Sequence, residues 1–281
     1  MFAIADISFF ILEERRKIMK SNYKQKVLEA YSGGGEVNRA AKTGEYGMEF
    51  IYTKRALDPY ITKKKKVIEI GCGGGYYLMH YAPKCAKYLG VDLSPVNIEI
   101  VKEQMKASGY KNASAKVGDA TDLTNVADES YDVVLCLGPL YHLNREDRKK
   151  CILECKRICK QNGIIAFAFI NKLGVMAKFG HGVGWGHVLT PHIGKCVLEK
   201  GTDDVHTDVF FYTTPEELIE DTEGAGLKRI RITGVDFLIL EDEIESFTDE
   251  QRKIWFQYAD ILANSEYASA LGNHALFICE K

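Results

Sequence analysis

The chain has 281 residues, 46% of them hydrophobic, enough for one large core or for one core with a small appended lid. With 37 basic against 39 acidic side chains the net charge is −2, which excludes a broad electrostatic drive toward nucleic acid or an anionic membrane. The 8 cysteines include no C-x-x-C pair, so neither a disulfide framework nor a zinc knuckle is indicated, and a reducing cytoplasmic setting fits.

Residues 1–18 begin apolar, but their charges follow the apolar run instead of preceding it, and the run is too short to span a bilayer. They match no export signal. The codons allowed for Glu14 to Ile18 can spell a purine-rich ribosome-binding run ahead of Met19, so the expectation is a native start at Met19 and a non-native or disordered leader before it. Residues 19–62 read as an N-terminal helical lid and 63–281 as the main domain, interrupted by a lid insertion at 171–213 with no strong period. Lys63 to Lys66 read as a solvated connection before the first strand.

From residue 67 strands and helices alternate, which argues for a mostly parallel sheet covered on both faces. VIEIG (67–71) is the first strand, and the helix after it stops at Pro83. KYLGVD (87–92) is the second; Ser94 and Pro95 then open a helix whose apolar stripe, Ile98, Val101 and Met105, ends at Gly109. SAKVGD (114–119) is the third strand, and the continuous apolar run YDVVLCL (131–137) reads as a central one.

Asn144 caps the next helix, with Gly163 beyond its end. Cys151, Cys155 and Cys159 share a face with Ile152 and Ile158 and read as small apolar core residues in preference to a thiol–metal site. GIIAFAFI (163–170) is the fifth strand. Thr214 to Glu217 form a capping box, a sixth strand starts near Leu227, and Thr248 with Gln251 opens a helix expected to turn Ile254, Trp255, Tyr258, Ile261 and Leu262 inward. ALFICEK closes the sheet.

The informative stretch is VIEIGCGGGYYLMH (67–80), a strand, a glycine turn and a helix, whose free helix-end N–H groups make a site for a nucleotide-like ligand. A dinucleotide loop wants G-x-G-x-x-G, and Tyr76 stands where its third glycine would bring helix and strand together. No Lys-Ser or Lys-Thr follows, which removes a P-loop. Glu69 through Gly75 instead read E-x-G-x-G-x-G, with Asp92 ending the second strand and Gly118-Asp119-Ala120 ending the third.

These features resemble the first motif and its neighbours in the class I S-adenosylmethionine-dependent methyltransferases. SYDVVLCLGPLYHL, GHVLTPHI, FYTTPEELIE and GEYGMEFIYTKRALDPYI are similar to segments of a bacterial subgroup of the type 11, ubiquinone-biosynthesis-like enzymes, a resemblance covering residues 36–281. Gln161-Asn162-Gly163 departs from that family's Lys-Pro-Gly at a turn.

The resemblance implies a Rossmann-like α/β fold: a seven-stranded, mostly parallel sheet with its last strand antiparallel, helices on both faces, the N-terminal lid and an insertion after strand five. It implies S-adenosylmethionine as cofactor, leaving S-adenosylhomocysteine. Gly71 and Gly73 would let the backbone approach the methionine part, with Glu69 reaching its amino group; Asp92 would accept the ribose hydroxyls and Asp119 the adenine amino group. Cys72, Gly75, Leu93, Ala120 and Leu137 complete the expected cofactor set.

Methyl transfer needs alignment and water exclusion first, and a base only for a protonated acceptor. His142 has the titration range for that base, while the alternative is a histidine that fixes its loop by bonding to backbone. Tyr141, Tyr46, Trp185, His187 and His192 are expected around the acceptor; Phe50 and Tyr52 come from the same N-terminal region as Tyr46. His181, His187 and His192 place no pair on one helical turn and have no acidic neighbour, so no metal site is expected. The expected reading is a cytoplasmic enzyme, monomer or homodimer, that methylates a small molecule and binds neither nucleic acid nor membrane. The alternatives are an NAD(P)-dependent oxidoreductase and a non-catalytic S-adenosylmethionine-binding protein.

Overall fold

A computed structural model describes residues 23–31, 47–180, 190–203, 205, 209–237, 241–265 and 267–281. Tyr46, His181, Trp185, His187 and the 1–18 leader lie outside the described residues. Among the described residues eight strands form one sheet: β1 (Lys66–Ile70), β2 (Lys87–Asp92), β3 (Ala113–Val117), β4 (Tyr131–Cys136), β5 (Cys159–Asn171), β6 (Tyr212–Thr213), β7 (Lys228–Gly234) and β8 (His274–Glu280). Their order is β3-β2-β1-β4-β5-β8-β7, with β6 paired to β5. β8 alone runs antiparallel, against both β5 and β7. This is the Rossmann-like arrangement expected, with β6 as an additional two-residue strand laid against Ile170 and Asn171.

Side chains alternate between faces along the central strands, and both faces are covered. Val67, Val133, Leu135 and Leu276 belong to one core. Ile68, Ile70, Val134, Cys136 and Phe277 belong to the other. That double burial is why these strands read as continuous apolar runs.

The helices are α1 (23–30), α2 (Met48–Leu57), α3 (Tyr76–Tyr81), α4 (Pro95–Ser108), α5 (Arg145–Ile158), α6 (Lys172–Gly180), α7 (Pro191–Lys200), α8 (Pro215–Gly224), α9 (Glu241–Ser246) and α10 (Asp249–Ala263). The caps fall where local chemistry demands them. Ser94 accepts from the Asn97 amide, Asn144 from that of Asp147, and both Thr214 and Thr248 close capping boxes. Gly163 sits inside β5, because that strand follows α5 directly at Cys159; a side chain there would lie 2.6 Å from the Cys159 sulfur.

The apolar face of α10 differs from the expectation. Ile254, Tyr258 and Ile261 are exposed, whereas Ala259 and Ala263 are buried. The helix packs through these small residues together with Trp255 and Leu262, expected inward, and Phe256, and Tyr52 and Arg55 of α2 hold it by hydrogen bonds to Asp260. All eight cysteines are buried and none forms a disulfide; Cys136 joins Cys151 and Cys155, bringing three thiols within 4.8 Å of one another. Behind the sheet, Arg148 donates twice to Asp221 and once to Thr213, tying α5 to α8 and β6 in a fully buried cluster. Among the described residues no helix is long and apolar enough to cross a membrane.

Candidate active site

Strand order reverses between β1 and β4, and the crevice at the carboxyl ends of the strands there is where such a sheet takes ligands. A cavity of about 760 Å³ opens at that edge. Its floor is the glycine loop. The amides of Gly71 and Cys72 donate to the Val91 carbonyl at 2.7 and 3.0 Å, clipping the loop to β2. Gly71, Gly73 and Gly75 all have positive φ, a conformation costly for a residue with a side chain. A Cβ on Gly71 would lie 2.5 Å from Pro139 Cδ, and one on Gly75 2.9 Å from Val101 Cγ2. The first glycine thus lets the loop after β4 close over it, and the third lets α3 sit against α4.

Asp92, at the end of β2, is held in place by its neighbours. One oxygen accepts from the Gly73 amide at 2.8 Å; the other accepts from the Ser94 amide at 2.8 Å and the Asn97 side chain at 3.1 Å. Asn97 Oδ1, beside it, is a buried acceptor that no protein group satisfies. Asp119, after β3, accepts from the amide and hydroxyl of Thr121 through Oδ1, and Lys24 of α1 contacts its Oδ2. Burial raises this carboxyl, but the hydrogen bonds from Lys24 and Thr121 outweigh it and hold the group below the usual range.

Glu69 lies at the cavity wall with 1% exposure and accepts a hydrogen bond from Tyr88 at 2.8 Å. Burial pushes it up to about 8, the Tyr88 bond opposes this, and the nearby Asp92 charge adds to it.

Over this floor the Pro139–His142 turn follows β4. His142 Nδ1 faces the Val209 carbonyl at 2.6 Å, so Nδ1 carries the proton; Nε2, 2.9 Å from the Tyr31 hydroxyl, is then the acceptor. Burial lowers its pKa to about 4 despite the carbonyl contact, so the ring is neutral. The geometry matches the loop-fixing alternative for this histidine, with Tyr31 as an added partner. The Phe211 amide donates to the Tyr141 carbonyl at 2.6 Å, joining the same loop to the segment before β6.

The structure gathers most of the expected residues around the cavity. Glu69, Gly71, Cys72, Gly73, Asp92, Leu93, Asp119, Ala120 and Leu137 line it, as do Tyr141 and His142 of the turn after β4. Gly75 caps α3 and is not part of the lining. His192 is exposed on the first turn of α7 and also lies outside the lining. Phe50 lines the cavity and packs on Tyr76 with ring centroids 4.1 Å apart, filling the position of a dinucleotide loop's third glycine.

Sequence reasoning did not single out Tyr23, Lys24 and Tyr31 of the N-terminal segment, Phe210, Phe211 and Tyr212 near β6, or Asn97, Asn273 and His274, all in the lining. For the aromatic group near β6 the density of rings just ahead of the capping box was a usable signal. For His274 none existed, because its partners come from distant segments.

Fold and cavity together resemble those of a class I S-adenosylmethionine-dependent methyltransferase. Residues 67–163 match the family model described as a methyltransferase domain. The chain is 27% identical over 173 residues to the ubiquinone biosynthesis O-methyltransferase of Acinetobacter baylyi, covering 62% of this chain and 67% of that one. It is 29% identical over 194 residues to the protein of the same name from Coxiella burnetii, covering 69% and 76%. Among solved structures, the PH0226 protein from Pyrococcus horikoshii OT3 superposes with a TM-score of 0.58 at 16% identity, over 84% of this chain and 91% of that one. The chain is thus similar to class I methyltransferases of the bacterial ubiquinone-biosynthesis type, with the family match confined to its central third.

Proposed function

We propose that the chain transfers a methyl group from S-adenosylmethionine to a small-molecule acceptor held in the same cavity, and that the two halves of the lining divide the work. Glu69 receives the ammonium of the amino-acid tail, Asp92 and Asn97 the ribose hydroxyls, and Asp119 the adenine amino group. The residues fit that ligand: the unsatisfied buried Asn97 Oδ1 next to Asp92 calls for a donor, which a ribose hydroxyl provides. No basic cluster for a pyrophosphate adjoins the glycine loop in the lining, where Lys24 is the one Lys or Arg among the described residues, and it sits on Asp119.

When bound, S-adenosylmethionine supplies an electrophilic methyl group on a sulfonium. The chain's own task is to align the acceptor with that methyl and keep water away. Val27, Leu28, Val175, Ile170 and the Phe210–Tyr212 aromatics give the acceptor half an apolar wall. Tyr31, bonded to His142, closes α1 over it.

The observation that carries this reading is the Asp92 carboxylate, fixed by the glycine-loop amide of Gly73 at the edge of the cavity. Titration calorimetry with S-adenosylhomocysteine tests it. Binding is expected, with Asp92→Asn weakening it roughly 10- to 100-fold, the worth of hydrogen bonds to a charged group. Saturation by NADH with no affinity for S-adenosylhomocysteine would overturn it.

A further inference from the structure

Among the described residues two imidazoles line the cavity, those of His142 and His274, and both lie near Tyr141. The Tyr141 ring centroid lies 6.4 Å from that of His142 and 5.8 Å from that of His274. Their surroundings differ in kind. His142 has a backbone carbonyl at Nδ1 and the Tyr31 hydroxyl at Nε2, so both nitrogens hold the loop and α1 together. His274 has a carboxylate at Nδ1, Asp236 Oδ2 at 2.9 Å, which is the nearer partner there; the Asn273 side-chain nitrogen lies 3.3 Å from the same atom.

That carboxylate is itself firmly placed. Asp236 Oδ1 accepts from the Asn273 amide at 2.7 Å, and Oδ2 also accepts from the His274 amide at 3.1 Å. Topology produces the arrangement. β8 runs antiparallel, so its first residue, His274, stands at the carboxyl edge of the parallel strands, opposite Ile170 of β5. β7 ends at the same edge, and Asp236 follows it by two residues. A second carboxylate, Glu49 of α2, approaches His274 Nδ1 at 3.9 Å and accepts from the Tyr141 hydroxyl at 3.4 Å.

We propose that His274, oriented by Asp236, is the residue that takes the proton from an acceptor arriving as a hydroxyl, and that His142 is a positioning residue; this rests on the methyl-transfer reading above. With Nδ1–H donated to Asp236, a neutral ring presents Nε2 as its acceptor nitrogen. The acceptor oxygen forms its bond to the methyl carbon as the sulfur–methyl bond breaks, and the O–H proton passes to Nε2. The positive charge lost at sulfur reappears as imidazolium, and Asp236 offsets it there. A carbonyl, such as the one beside His142, carries no net charge to do this. The low pKa of His142 agrees, since a ring that stays neutral to about pH 4 is a weak proton acceptor.

The test uses the full chain saturated with S-adenosylhomocysteine. Failure of that complex to form would sink the methyl-transfer reading itself, separately from the role of His274. In long-range nitrogen–proton spectra of histidine-labelled protein, with His274 assigned by the loss of its signals in His274→Gln, the neutral ring is expected to carry its proton on Nδ1. Asp236→Asn is expected to shift the ring toward the other tautomer. A proton on Nε2 in the unmodified chain, or a tautomer that ignores Asp236→Asn, overturns the proposal.

Turnover gives the second arm, with catechol as an acceptor that stays a hydroxyl at neutral pH and 4-nitrothiophenol as one already ionised there. His274→Gln is expected to slow the hydroxyl reaction about 100-fold or more, in the range of general-base catalysis, and to leave the thiolate reaction within about twofold. Equal losses on both probes, the same selective loss from His142→Gln, or an unmodified chain that methylates the thiolate and never the hydroxyl, each count against His274.

Discussion

The two halves of the cavity are built by different means. The half proposed for the cofactor is built locally around backbone: amides of the glycine loop, strand-end carboxylates fixed by nearby amides, and helix starts, all contributed by β1 to β3 and the turns after them. The acceptor half is made of side chains meeting across long sequence separations. Tyr31 meets His142, Tyr23 meets the Val209 carbonyl, and His274 meets Asp236. A backbone cradle constrains sequence at fixed local spacing, so it tolerates little change and advertises its ligand. A side-chain wall leaves each contributing segment free to vary, so one fold can hold one cofactor and many acceptors.

The largest expected effect tests the rigidity of the backbone half. Gly71→Ala adds a Cβ 2.5 Å from Pro139 Cδ at a residue with φ of +75°. Left-handed backbone with a side chain and the forced repacking together cost about 3 kcal/mol. A fall of that size in denaturant-derived stability is expected, with S-adenosylhomocysteine binding lost. A variant that melts and binds like the parent chain would mean that the cradle is as adaptable as the opposite wall.

That contrast also explains what the sequence revealed. The alternation of strands and helices, the helix caps and the glycine loop were legible because each rests on neighbours within a few residues: Ser94 on Asn97, Thr214 on Glu217, Gly73 on its strand-turn-helix setting. The inward face expected for α10 was legible only in part: Trp255 and Leu262 pack against the core, but Ile254, Tyr258 and Ile261 do not, because close approach to β7 and α2 selects alanines there. His274 was invisible for a similar reason. It stood at the start of an ordinary closing strand, and only the antiparallel pairing of β7 with β8 brings Asp236 to it.

A smaller effect sharpens the electrostatics of the cradle. Burial pushes Glu69 up to about 8 from its ordinary 4.5, so at neutral pH the ligand-free site holds mostly the neutral acid. An ammonium placed beside it favours the ionised form. Binding of S-adenosylhomocysteine at neutral pH should therefore release a fraction of a proton, and affinity should climb as pH rises toward 8. Calorimetry in buffers of different ionisation enthalpy reads the release, and Glu69→Gln should abolish it. The ligand-free chain shows the linked sign. A carboxyl raised in the folded state contributes stability below its unfolded pKa and loses it as pH rises through the folded value, so Glu69→Gln should flatten the decline in stability between about 4.5 and 8. Binding with no proton release would place the ammonium elsewhere.

The smallest effect lies where the two halves touch. Lys24 of α1 contacts Asp119 Oδ2, while Oδ1 already accepts from the amide and hydroxyl of Thr121. Oδ2 is therefore the oxygen that the proposed adenine contact must use, and the lysine stands on it. The pair is partly exposed, with 44% of the Lys24 side chain accessible, which places its worth at about 0.2 to 1 kcal/mol. If the side-chain half competes with the cofactor for this carboxylate, Lys24→Met should tighten S-adenosylhomocysteine binding by up to about fivefold, the equivalent of that energy. The gain should shrink at high salt, which screens the pair in the parent chain and weakens its competition there. Weaker binding by Lys24→Met would instead make α1 a working part of the cradle, and the division between backbone and side-chain halves would fail at this residue.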